Sequence, residues 1–205
     1  MNTTNGHIRL KGNLSMKVIR HPKASLMWRI RNFFRLQYIK SLFGIFVVAP
    51  ISRIFGIMVG YGSLSILVKK LDGSYVNYGI VSYRLVTTAF INFVVDQLQA
   101  ESSIFGDFKY HDSGVGTTAE NVSNTAIETT DGEARVAGTQ IEGAQTYIYR
   151  SVGTITYSTA KNISEHGLFN DLTAGTLMDR SVFTAVPMAI GEAITFTYDL
   201  TLAGS

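Results

Sequence analysis

The 205-residue chain carries 18 Lys and Arg against 15 Asp and Glu, and it contains no cysteine. That length accommodates one domain plus an extension and can bury a substantial core, while the missing cysteines exclude a disulfide framework, a thiolate metal site and a cysteine nucleophile. The net charge of +3 hides a division: residues 1–71 hold twelve Lys or Arg and no acid, whereas the remainder holds six bases and fifteen acids.

The chain therefore reads as two parts, a basic apolar N-terminal arm over 1–60 and a second domain over 61–205. In the arm, Ser25 to Phe43 (SLMWRIRNFFRLQYIKSLF) predicts a helix in which Leu26, Ile30, Phe33, Phe34, Tyr38 and Leu42 share one face. Arg29, Arg31, Arg35 and Lys40 lie around its flanks. Such a helix suits an anionic membrane surface, a nucleic-acid backbone or an acidic protein surface, or it docks on its own domain with a solvated basic rim. Aromatic and Arg side chains are favoured anchors in protein contacts, which makes Trp28, Arg29, Arg31, Phe33, Phe34, Arg35 and Tyr38 the partner-anchor candidates.

Phe43 to Gly60 (FGIFVVAPISRIFGIMVG) raises the question of a membrane span. Its large apolar residues favour insertion by about 3 to 7 kcal/mol, whereas Arg53 opposes it by about 2.5 to 3.5 kcal/mol and Pro50, Ser52 and three glycines oppose it further. The balance lies near zero, so a helical hairpin breaking at Pro50 and buried against protein is the competing reading, and membrane insertion is disfavoured. A secretory signal fits poorly, because some forty residues precede the apolar stretch. If Met16 or Met58 is the true start, part of this arm is an extension without a role. Gly12 to Arg20 and Gly62 to Lys70 match at four of nine positions, too few to establish a repeat.

The second domain opens with β-type alternation at Leu64, Ile66 and Val68, followed by the hairpin signal Asp72-Gly73 and a return strand at Tyr75 to Tyr78. Val86 to Leu98 predicts the domain's one helix, largely buried, with Thr87 or Thr88 as its N-cap. Alternation recurs at Phe108 and Tyr110, at Ile148, Arg150 and Val152, and at Ile155 and Tyr157. It is clearest where Ile194, Phe196, Tyr198, Leu200 and Leu202 take one face. Short strands between turns predict a mainly β fold, an antiparallel β-sandwich with one buried helix.

Five segments carry a family resemblance: GVGTTA at Gly114 to Ala119, NTAIE at Asn124 to Glu128, ISEHGLF at Ile163 to Phe169, GTLMDRSVF at Gly175 to Phe183, and AITFTYDLT at Ala193 to Thr201. In order and spacing they resemble motifs in a group of structural and fibre-associated proteins of tailed bacteriophages. The likeness runs from about Gly62 to the C-terminus and leaves residues 1–60 outside it. It implies virion architecture and brings no active-site residues.

Searched for chemistry, the sequence offers little. Glu165 and His166 are adjacent, and neighbours on a strand point to opposite faces, so they form no dyad; His166 is expected to hydrogen-bond at a turn before Gly167. His7, His21 and His111 are scattered, and no metal site or cofactor is expected. Asp107, His111, Asp112 and Ser113 lack a nucleophile elbow and read as a polar loop. GVGTTA lacks the lysine of a phosphate loop. Asp179 and Arg180 read as a charge pair on a strand, or as interface contacts if copies associate.

The expectation is a non-enzymatic protein located in the virion, decorating or cementing the head or joining at the neck, and anchored through its arm. Its expected partners are a major capsid, neck or tail protein and further copies of itself in a homo-oligomer. The rivals are a tail-fibre adaptor, a membrane-associated protein displaying a β-domain, and a protein whose arm contacts nucleic acid, in which case salt would weaken binding steeply.

Overall fold

The computed structural model describes residues 21–35, 39, 43, 47, 59–98 and 108–203. Nine strands form two antiparallel sheets. They are β1 (Val59–Lys69), β2 (Tyr75–Leu85), β3 (Tyr110–Gly114), β4 (Val136–Ala137), β5 (Thr139–Glu142), β6 (Ile148–Thr156), β7 (Lys161–Phe169), β8 (Leu177–Met188) and β9 (Ala193–Ala203). One sheet has the order β2-β1-β9-β6-β5 and the other β4-β3-β7-β8. Two helices accompany them, α1 (Leu26–Phe33) and α2 (Thr88–Leu98). This is the mainly β, sandwich-like arrangement that the alternating segments predict.

The hairpin between β1 and β2 follows from its turn chemistry. Gly73 takes a positive φ of 78°, and the Asp72 carboxylate accepts from the Ser74 backbone N–H at 2.8 Å. The return strand runs past Tyr78 to Leu85, because two bulges in β2, at Val81 and Tyr78, keep it in pairing register with β1. Leu64, Ile66 and Val68 of β1 are buried, as are Ile194, Phe196, Tyr198 and Leu200 of β9, so the alternation does define the core face. Leu202 departs from it and is 44% exposed, since β9 there runs beyond the core.

α2 starts where Thr87 Oγ1 accepts from the Phe90 N–H at 3.1 Å, and the same hydroxyl donates to the Leu177 carbonyl at 2.6 Å. Phe90 and Phe93 pack edge-on against Phe108. Ile91 and Val95 on the opposite side face outward, so the helix is less buried than its composition suggests.

The seams of the sandwich are closed differently. At one side the chain crosses from one sheet to the other at Gly138, between β4 and β5. At the other side α1 lies over the neighbouring edges of β2 and β8. Asn32 Nδ2 donates to the Val81 carbonyl of β2 at 3.0 Å, and its Oδ1 accepts from Thr184 N–H of β8 at 3.1 Å. The described part of the arm is thus joined to the sandwich.

Candidate functional site

The shorter sheet is polar on both faces. Register places Ser113, His166 and Ser181 side by side across β3, β7 and β8, with His111, Leu168 and Asp179 in the next row. Residues directly opposite in an antiparallel pair share a face, and this face looks toward β6 and β9. His166 lies 4.6 Å from the Phe196 ring, and a Cβ at Gly153 would sit 2.5 Å from the His111 ring.

Within this face, His111 Nε2 meets Ser151 Oγ at 2.8 Å and His111 Nδ1 meets His166 Nε2 at 3.0 Å. All three residues are completely buried. His166 Nδ1 has no hydrogen-bond partner among the described residues. A buried orphan N–H is the costlier option, so the favoured tautomers have His166 Nε2–H donating to His111 and His111 Nε2–H donating to Ser151, which leaves Nδ1 of His166 a bare lone pair. Burial pushes His111 down to about 4. Burial, and then His111, holds His166 well below its usual value. Both rings are therefore neutral near pH 7. The serine–imidazole contact looks like that of an activated nucleophile, but a buried serine has no approach for a substrate; what the chain can do is hold the two sheets in register.

Asp179 is on the same face and fully buried. Ser181 Oγ donates to its Oδ1 at 2.8 Å, and the buried Tyr198 hydroxyl lies beside its carboxyl and interacts with it. Burial raises the Asp179 carboxyl to about 7, against the opposing effect of Ser181. The opposite face holds Glu165 and Arg180. Glu165 accepts from Arg180 Nε at 2.5 Å and from the backbone N–H groups of Gly116, Glu128 and Thr129. Arg180 also reaches Asn124 and Glu128. One buried ion network therefore gathers GVGTTA, NTAIE, ISEHGLF and GTLMDRSVF, and AITFTYDLT supplies Phe196 and Tyr198 to the inner face.

Several expectations need correction. His166 is in the middle of β7, away from any turn, with its ring packed against that of Phe196 on the inner face. Tyr110 to Gly114 is a strand, so His111, Asp112 and Ser113 do not form a polar loop; Asp107 lies outside the described residues. Asp179 and Arg180 do not pair, since adjacent strand residues point to opposite faces. Both are buried in the chain's own fold, which leaves neither free as a surface contact.

The arm candidates are divided as well. Trp28 is turned inward: its indole N–H donates to the Ala185 carbonyl at 3.0 Å and its ring meets Tyr78 edge-on at 4.7 Å. Arg35 is half-buried, within electrostatic reach of Glu120 and Arg84. Arg29 and Arg31 are exposed, and so are Phe33 (50%) and Phe34 (70%), joined by Leu26 (69%). Tyr38 and most of Phe43 to Gly60 lie outside the described residues. The helix thus presents its apolar face to solvent and docks through Trp28 and Asn32. Beside it a concavity of about 500 Å³ runs between α1 and β2, lined by Lys23, Leu26, Arg29, Ile30, Phe34 and Ile80 among others.

Among the described residues no group of three or more His, Asp or Glu is placed to hold a metal ion, and no helix is long and apolar enough to cross a membrane. The inner polar row was missed in sequence because it breaks the apolar alternation; Gly153 within a strand was its one signal, marking close approach by another group. Compared with family models, curated proteins and solved structures, the chain has no match.

Proposed function

We propose that this chain is a non-enzymatic structural protein of a tailed-bacteriophage particle, at a head-decoration or neck position, and that the outer face of α1 is its assembly surface. The observation that carries the reading is the orientation of α1. A helix fixed by Asn32 and Trp28 across two sheet edges holds Leu26, Phe33 and Phe34 outward beside Arg29 and Arg31. Contiguous exposed apolar surface rimmed by charge is the signature of a contact site, and a cationic rim steers toward an acidic partner. The phage assignment rests on the five resembling segments, four of which supply the Glu165–Arg180 network, a structural role consistent with the virion architecture they imply.

Purified particles and the triple variant Leu26→Ser, Phe33→Ser, Phe34→Ser test this. The intact chain is expected in particles by mass spectrometry, and the variant, with an unchanged circular dichroism spectrum, is expected to be lost from them. Absence of the intact chain, or equal incorporation of the two forms, overturns the proposal.

A further inference from the structure

The α1 surface has a counterpart at the other end of the five-stranded sheet. β5 is that sheet's far edge, and all four of its residues are exposed. Beside it lies a second concavity of about 470 Å³, lined by Gln140, Ile141, Glu142, Tyr147 and Leu202 among others. Ile141, Tyr147 and Leu202 are large apolar side chains left exposed there. Glu142 is the charged residue of this groove, whereas Lys23 and Arg29 are the charged residues of the α1 concavity. Each surface also has a projecting aromatic to offer the other, Phe34 from α1 and Tyr147 from the loop between β5 and β6.

From this complementarity we infer that the occupant of the α1 surface is a second copy of the chain, which receives α1 in the groove at its β5 edge. The inference rests on the reading of α1 as an assembly surface and specifies what it meets. The two surfaces are at opposite ends of a five-stranded sheet, about 19 Å apart by strand spacing. A contact joining two different surfaces of identical subunits is heterologous, so an open assembly of any length keeps one surface of each kind free at its ends. Copies add head to tail until a ring closes, or continue as a filament. Glu142 against Lys23 and Arg29 sets the direction, because the reverse pairings place like charges together.

Sedimentation of the intact protein and of charge variants over a range of concentrations tests the inference. The intact chain is expected to form species larger than a dimer. Arg29→Glu and Glu142→Lys, each alone, are expected to weaken association by about tenfold or more. Mixing those two proteins is expected to restore the larger species with the two forms alternating, since the exchanged charges oppose each other at one contact and the native charges at the next. Combining both substitutions in one chain restores the larger species as well. Intact protein that stays monomeric, or a Glu142→Lys protein that associates as well as the intact one, overturns the inference. If the intact chain is monomeric yet still enters particles through α1, the assembly reading stands and the copy-to-copy contact falls. If neither occurs and the intact chain floats with anionic vesicles, both fall.

Discussion

Glu165 shows how much of this fold can depend on one side chain. Its carboxylate is fully buried, faces the Arg180 guanidinium, and accepts three backbone N–H groups from the loop over residues 116–129. A charge removed from water is tolerated only when paired and bonded in this way. Glu165→Ala leaves Arg180 buried beside fewer acceptors, so unfolding in urea is expected to show a loss of about 3 to 5 kcal/mol. The space is equally constrained: a Cβ at Gly116 would collide with Glu165 Oε2, which explains the glycine in GVGTTA. At this scale the sequence was legible in part. Its segments marked the residues of the network, but pairing Asp179 with Arg180 ignored the alternation that separates Glu165 from His166. Applied to both pairs, that rule sends Asp179 and His166 inward and Arg180 and Glu165 outward.

Among the elements, α1 does the most with the fewest residues. Ser25 Oγ accepts from the Trp28 N–H at its start, and one further turn brings Asn32 to the junction of β2 and β8. Asn32→Ala removes an acceptor from Thr184 N–H and a donor from the Val81 carbonyl, a loss of about 1 to 3 kcal/mol when such groups stay buried. The released helix should be cut more quickly between Ser25 and Arg35 in limited proteolysis, while the sandwich resists. Helical periodicity located the element and its apolar stripe. It could not say which side docks, because two hydrogen bonds and an indole outweigh the stripe, and those partners are some fifty and more than 150 residues away in the chain. α2 was easier, since its cap at Thr87 is local. β3 was harder: its polar inward residues imitate a loop.

For the molecule as a whole, acid is the natural perturbation. A histidine whose folded pKa is depressed favours the folded state above its unfolded value, and this contribution is lost as pH falls from about 6.5 toward the folded value. His111, pushed down to about 4, accounts for about 2 kcal/mol of lost stability at pH 5, and His166 acts in the same direction. Asp179 opposes them. Its carboxyl, raised to about 7, favours the folded state at low pH and loses that contribution as pH rises from about 4 to 7. Asp112, raised by burial, acts with Asp179, whereas Glu128, Glu133 and Asp171, lowered by their hydrogen bonds, act with the two rings, so a net loss is expected between pH 6.5 and 4, measurable by urea unfolding at stepped pH. Asp179→Asn should make that loss steeper by about one proton, and a loss unchanged in slope contradicts the assignment.

The order β2-β1-β9-β6-β5 has a consequence for how the chain is made. β9 pairs with β1 along eleven residues and with β6 along nine, so it stands between strands that have no other common neighbour. It also follows all the other described strands in the chain, which means that β1 and β6 leave the ribosome before the strand that unites them exists. Their apolar faces must wait, uncovered, through the synthesis of everything between. The five-stranded sheet cannot be completed until β9 has emerged, and its vulnerable interval lasts until then. Strong expression at low temperature, or with chaperones that shield nascent β-strands, is the condition this topology asks of its host.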